Sequence, residues 1–214
     1  MGYRVCLFDL DGTLTDPGIG ITNSVMYALE KYGIRVPDRT ALYPFIGPPL
    51  TDSFRKYYGF SEEQALQAVE YYREYFRARG IFENTVYDGI PEMLEELRRR
   101  DVTIALATSK PYEFAVQILK HFDLYPYFRY FGAATMDHRI TRKPDIIAGL
   151  LHEPGMADKA SVLMVGDREQ DIAGAKANGL RSAGVLWGYG SAEELRSAGA
   201  DCLIPEPAAL PDLF

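Results

Sequence analysis

Tyr3-Arg4-Val5-Cys6-Leu7-Phe8-Asp9-Leu10-Asp11-Gly12-Thr13 opens with an apolar run that halts abruptly on two carboxylates. The run carries β-branched and aromatic side chains on both faces, as a buried parallel strand requires. The same pattern recurs three times. Val102 to Ala107 stops at Thr108-Ser109-Lys110, Ser161 to Val165 stops at Gly166-Asp167, and Arg181 to Leu186 stops at Trp187-Gly188. Helical patterns fill the intervals: Glu92 to Arg100 behind Pro91, Tyr112 to Phe122, Asp145 to His152, and Glu169 to Asn178 with Gly179 as its stop. Strand alternating with helix predicts an α/β fold, a doubly wound parallel sheet of the Rossmann-like kind. In such sheets ligands bind at the carboxyl ends of the strands, and that is where the polar clusters fall.

Residues 17–84 interrupt the alternation. They read as helices at Ile19 to Tyr32, Thr51 to Tyr58 and Glu62 to Arg79, with Gly33, Gly59 and Gly80 just past their ends. Ser61 and Gln64 are spaced for a capping box. Pro44, Pro48 and Pro49 keep the stretch Tyr43 to Leu50 from being helical throughout. Tyr71, Tyr72, Tyr75 and Phe76 are read as helix-packing residues. The expectation is a core domain from 1–16 and 85–214, with an all-helical cap domain at 17–84 inserted after the first strand.

Asp9 and Asp11 lie two apart at a strand end, so their side chains leave on the same side. Two such carboxylates repel, and a cation or a proton relieves them. Asp11-Gly12 is also ordinary turn chemistry. The second cluster, Gly166-Asp167-Arg168-Glu169-Gln170-Asp171, follows another apolar strand and opens a helix. A parallel sheet can bring Asp167 to Asp9 and Asp11. An all-oxygen donor set of this kind suits Mg²⁺, whereas His121, His138 and His152 are scattered and make no zinc pattern. Asp171 is expected to support the site, in the first turn of its helix. Thr108-Ser109-Lys110 and Lys143-Pro144 provide the other half of a site, where hydroxyls and backbone N–H groups at a strand-to-helix turn suit phosphate oxygens. Lys143, fixed by Pro144 in an extended stretch ahead of a helix, can point into the same crevice.

The 214 residues include 23 Lys plus Arg against 30 Asp plus Glu, a net charge of −7. That balance argues against a partner that is a nucleic acid polymer or an anionic membrane. At 47% hydrophobic residues the chain can bury a real core. Cys6 and Cys202 are too few for a disulfide framework and read as buried thiols. No apolar run approaches the roughly 18 residues of a membrane span. The start, from Met1 through Asp11, has neither a signal-peptide shape nor the hydroxyl residue of a myristoylation site, since Cys6 stands in that place. A cytoplasmic protein is expected.

Asp9-x-Asp11-Gly12-Thr13, then Thr108-Ser109, Lys143-Pro144 and Gly166-Asp167-x-x-x-Asp171, in that order, resemble the haloacid dehalogenase superfamily. The pattern is similar to its phosphoglycolate phosphatase and 5′-nucleotidase-like branch, and the motifs frame the insertion. The resemblance implies that Asp9 is a nucleophile taking a phosphoryl group as an aspartyl-phosphate. Asp11 is implied to protonate the leaving alkoxide and then to activate water. It further implies Mg²⁺ held by Asp9, by Asp11 through its backbone carbonyl, and by Asp167. Gly12, Thr108, Ser109 and Lys143 are implied to bind the substrate's phosphoryl group, with Lys143 also offsetting the charge around Asp9.

An acid at position 11 points within that family to phosphatases and phosphomutases, and away from the dehalogenases and transport ATPases. Arg168 departs from the small hydroxyl residue often found after the metal-binding Asp. The implied activity is Mg²⁺-dependent hydrolysis of a small phosphorylated metabolite, phosphoglycolate-like or nucleotide-like, by a monomer or homodimer. The alternatives are a phosphomutase similar to β-phosphoglucomutase and a non-catalytic metabolite-binding module.

Overall fold

A computed structural model describes residues 2–214, so the amino-terminal reading at Met1 lies outside the described residues. Strand β1 (Val5–Phe8) and the two-residue β2 (Thr15–Asp16) come first. Helices α1 (Gly18–Glu30), α2 (Leu50–Tyr58) and α3 (Glu62–Ala78) follow, then β3 (Thr85–Val86) and α4 (Ile90–Arg99). The remainder runs β4 (Thr103–Pro111), α5 (Tyr112–His121), β5 (Tyr130–Ala134), α6 (Lys143–Leu150), β6 (Val162–Gly166), α7 (Glu169–Ala177), β7 (Arg181–Val185), α8 (Ala192–Ala198) and β8 (Cys202–Ile204). The chain forms two compact units, one from the residues up to Thr15 with Val86–Phe214 and the other from Asp16–Thr85.

The first unit is a six-stranded sheet in the order β5-β4-β1-β6-β7-β8, and every pairing is parallel. Alternation along the strands gives it two apolar faces. Val5 and Leu7, Ala105 and Ala107, and Val162 and Met164 form one cluster with Ile146, Ile147 and Leu150 of α6 and Ala175 of α7. The intervening residues, Cys6, Phe8, Ile104, Leu106, Leu163 and Val165, are equally buried and serve the opposite face. Each large side chain taken out of water in this way contributes about 1.5–3 kcal/mol. Cys6 is wholly enclosed, and burial pushes its thiol well above the ordinary range. Cys202 is only half-buried, on the edge strand β8, where less of the chain covers it than the sequence pattern predicts.

The second unit is helical. Ser61 and Gln64 form the capping box, with the Gln64 N–H donating to Ser61 Oγ at 3.2 Å and the Ser61 N–H to Gln64 Oε1 at 2.9 Å. Tyr72 and Phe76 are buried and stack at 5.4 Å, while Phe45 meets Phe54 edge-on at 5.1 Å. Gly59 ends α2 in the left-handed conformation, at φ 66°. Gly80 corrects its expected role as a helix stop, because its φ is not positive. It is small because the chain approaches closely: a Cβ there would lie 2.7 Å from Ser24 Oγ.

Candidate active site

The sheet order places the site. From β1 the chain proceeds outward to β4, and from β6 it proceeds the other way to β7, so the adjacent carboxyl ends of β1 and β6 bound a switch-point crevice. Phe8 is in register with Leu106 on one side and Val165 on the other. The next residues, Asp9, Ala107 and Gly166, therefore lie level at that edge, and the polar clusters begin there.

Lys143 is the hub of the nucleophile side. Its Nζ lies 2.9 Å from Asp9 Oδ1 and 2.7 Å from Asp171 Oδ1, and donates to the Ala107 carbonyl at 2.7 Å. Burial works against its charge, but Asp171 and Asp9 override that and hold its pKa at about 12. Asp171 is in turn fixed by the Arg168 N–H, which donates to its Oδ2 at 3.1 Å. Burial outweighs Lys143 at this carboxyl and pushes it up to about 6. Lys143 itself corrects the sequence reading. It is the first residue of α6, and the extended residue is Arg142 before it. Pro144 suits the helix's first turn, where its missing N–H is not needed.

Asp11 faces a different cation. Its Oδ2 lies 2.7 Å from Lys110 Nζ, with both side chains at least nine-tenths buried. Burial pushes the Asp11 carboxyl up, and Lys110 pulls it back only in part. The expectation that strand four ends before Thr108 is corrected as well. β4 continues to Pro111, with its register against β5 shifting between Thr108 and Pro111. Thr108 is buried at this edge, and its Oγ1 accepts from the Lys110 N–H at 3.2 Å; Ser109 beside it is half-buried.

Asp167 is fully buried, and its donors are neutral: Thr13 Oγ1 at 3.3 Å on Oδ1 and the Tyr189 N–H at 2.8 Å on Oδ2. Burial, then the charges of Asp171 and Asp9, push its carboxyl well above the usual range. Gly12 sits against it at φ 82°, where a Cβ would come 2.2 Å from Asp167 Oδ2. The segment Trp187-Gly188-Tyr189-Gly190 closes the other side. Trp187 Nε1 donates to the Thr13 carbonyl at 2.9 Å, and a Cβ on Gly188 would lie 2.4 Å from Asp167 Cβ.

Four buried carboxylates, Asp9, Asp11, Asp167 and Asp171, thus gather with two buried lysines, Lys110 and Lys143. Two carboxyl groups are therefore left without a lysine in a low-dielectric crevice, where an unpaired ion costs several kcal/mol, so a proton or a bound cation must relieve them. One oxygen from each of Asp9, Asp167 and Asp171 lies within 4.8 Å of the others. The donor set is hard and anionic, so the residues fit a divalent cation of the Mg²⁺ type. Lys143 already engages Asp9 and Asp171, which leaves Asp167 as the carboxylate most in need of one.

Every site residue expected from sequence falls at this edge or on the helices that open beside it. Two contacts were not expected: that of Lys110 with Asp11, and that of the Tyr189 backbone with Asp167. The first comes from the Thr108-Ser109-Lys110 cluster already placed at the site. The second acts through an N–H that any residue carries, and its only trace in the sequence is the pair Gly188 and Gly190. His121 and His152 are exposed and His138 is half-buried, none of them grouped.

The family model described as haloacid dehalogenase-like hydrolase matches residues 6–185. The chain belongs to that family. A 5′-nucleotidase of Pseudomonas aeruginosa is 48% identical over 195 residues, covering 91% of this chain and 88% of that protein. A tyrosine-protein kinase, PtkA, of Mycobacterium tuberculosis is 38% identical over 191 residues, covering 89% and 64%. The crystal structure of a predicted phosphatase from Clostridium acetobutylicum superposes with a TM-score of 0.95 at 45% identity, covering 99% of this chain and 98% of that one. This haloacid dehalogenase-like chain is a hydrolase of the phosphatase kind, and its parallel sheet is the family's fold. No helix among the described residues is long and apolar enough to cross a membrane.

Proposed function

We propose that the protein is a Mg²⁺-dependent phosphatase of small phosphomonoesters, with nucleoside 5′-monophosphates the first class to test, acting through a phosphoryl group carried on Asp9. The observation that carries this reading is the meeting of Asp9, Asp11, Asp167 and Lys143 at one switch point with an excess of two carboxylates. The name of the Pseudomonas aeruginosa relative supports the nucleotide class.

An Asp9 carboxylate oxygen attacks phosphorus and the ester P–O bond breaks. The electron pair leaves on the alkoxide, which takes the proton carried by Asp11 and departs as the alcohol. Water then loses a proton to Asp11 as it attacks phosphorus, the bond to Asp9 breaks, and inorganic phosphate leaves. Lys143 keeps Asp9 oriented through the 2.9 Å contact and places positive charge beside the transferring group. Thr108 offers its hydroxyl to the phosphoryl oxygens. Mg²⁺ held by Asp9, Asp167 and the Asp11 carbonyl would neutralise charge on those oxygens. Stabilisation of this kind is the main lever for phosphoryl transfer. Residues 17–84 serve in this reading as the cap that selects the leaving group, and the working form is a cytoplasmic monomer or homodimer.

The test is phosphate release from nucleoside 5′-monophosphates, phosphoglycolate and sugar phosphates, with and without Mg²⁺. Release that needs Mg²⁺ and disappears in Asp9→Asn supports the reading and ranks the substrates. No release from any ester refutes it; isomerisation of a sugar phosphate with a bisphosphate primer would then establish a mutase.

A further inference from the structure

We infer that Lys110 is a positioning residue for the leaving-group step: it holds one oxygen of Asp11 so that the other is presented to the departing ester oxygen. This deepens the phosphatase reading and rests on it. The first observation is asymmetry within a single carboxylate. Asp11 Oδ2 is 2.7 Å from Lys110 Nζ, whereas Asp11 Oδ1 is buried with no hydrogen-bond partner among the described residues. A buried carboxylate oxygen left without a donor is costly, and it is tolerated where a reacting group supplies the missing contact.

The second observation is how the two cations divide the site. Lys143 engages Asp9, Asp171 and the Ala107 carbonyl, on the nucleophile side. Lys110 engages the acid. Its side chain is only 4% exposed, so this is a placed ammonium and not a solvated surface group. Its backbone is fixed too, with the Lys110 N–H donating to Thr108 Oγ1 at 3.2 Å. The register of β4 against β5 shifts between Thr108 and Pro111, and an irregularity of that kind re-aims a side chain at a strand end. Thr108 and Lys110 lie two apart in β4, so the strand's alternation already puts both on one face of the sheet.

An Asp on a short turn has two torsions to fix. The ion pair fixes both, so Oδ1 has one orientation before substrate arrives. In the first half-reaction the P–O bond to the alcohol breaks, its electron pair stays on the alkoxide oxygen, and the proton passes from Oδ1 to that oxygen. In the second, Oδ1 receives the proton of the attacking water as the P–O bond to Asp9 breaks. Lys110 neither gains nor loses a proton in either step.

The test compares Lys110→Met with wild type on a nucleoside 5′-monophosphate, whose alkoxide leaves poorly, and on p-nitrophenyl phosphate, whose phenolate leaves without help. Positioned proton transfer contributes about 10²–10⁴-fold, and a misaligned acid forfeits part of that. Expected is a fall in kcat of about tenfold or more on the nucleotide, about threefold or less on the aryl ester, and a KM changed by less than about twofold. In an Asp11→Asn background the Lys110→Met change should cost less than about twofold more, because a residue acting only through Asp11 has nothing left to position. Lys110→Arg, which keeps the cation, should recover most of the loss. If Lys110→Met does not fold, as judged by circular dichroism, Lys110→Gln carries the same comparison. Equal losses on both esters, a rise in KM alone, or a loss that persists with Asp11→Asn would overturn the role given to Lys110. A wild-type protein that releases phosphate from neither ester would overturn the phosphatase reading itself.

Discussion

Replacing Lys143 by Met should destabilise the protein more than any single surface change, by an amount that depends on pH. The substitution takes away the ammonium that sits 2.9 Å from Asp9, 2.7 Å from Asp171 and 2.7 Å from the Ala107 carbonyl. Four buried carboxylates then face Lys110 alone. Removing one partner of a buried ion pair costs about 3–5 kcal/mol, out of a total stability of about 5–15 kcal/mol. For a chain of this size each kcal/mol moves the melting temperature about 2–4 °C, so a fall of about 6–20 °C is expected near neutral pH. The pH dependence follows from Asp171, whose folded pKa is already raised to about 6 and rises further once Lys143 is gone. A carboxyl with a raised folded pKa contributes stability that is present at low pH and lost as pH rises through that value. The deficit should therefore be largest at about pH 8 and shrink toward about pH 5, where Asp171 accepts a proton instead of a lysine. Lys143, at about 12, stays charged throughout that window. Thermal melts of both proteins, followed by circular dichroism without added metal, measure this directly. A deficit below about 1 kcal/mol at neutral pH, or one that does not change with pH, would refute the placement of Lys143 as the neutralising hub.

Gly12→Ala forces a Cβ to within 2.2 Å of Asp167 Oδ2 at a φ of 82°; calorimetry should show Mg²⁺ affinity falling about tenfold or more, and unchanged affinity would remove Asp167 from the metal set. Mg²⁺ binding should weaken as pH falls from about 8 to about 5, because burial and neighbouring carboxylates raise the pKa of Asp167, which must release its proton to bind. Calorimetry in buffers of different ionisation enthalpy measures that release, and its absence would contradict the buried acidic set.

The sequence made the centre of the fold legible and left its margins obscure, for physical reasons. β1, β4 and β6 are enclosed on both faces, so each appears as an unbroken apolar run before its polar cluster. β5 and β8 are the edges of the sheet. Tyr130–Ala134 is mostly half-buried, and Cys202–Ile204 spans three residues, so neither carries the two-sided apolar signal. In the site, Asp9, Asp11 and Asp167 could be read from spacing because strand ends in a parallel sheet must share an edge, whereas Lys143 opens a helix and is marked by the Pro144 that follows it and by the order of the motifs. Lys110 stands in the Thr108-Ser109-Lys110 cluster, but nothing in the spacing shows that it pairs with Asp11. Asp171 was expected to support the site from the first turn of its helix, and its 2.7 Å approach to Lys143 shows what it holds in place.

The central claim, that Asp9 carries the phosphoryl group, is tested most directly by trapping it. The protein would be mixed with Mg²⁺ and its best phosphomonoester, quenched in acid within the first turnover, and the peptide containing Asp9 analysed by mass spectrometry. The account predicts a hydroxylamine-sensitive phosphoryl group on Asp9, with no label and no phosphate release in Asp9→Asn. Rapid phosphate release with Asp9 unmodified, and undiminished in Asp9→Asn, would contradict it.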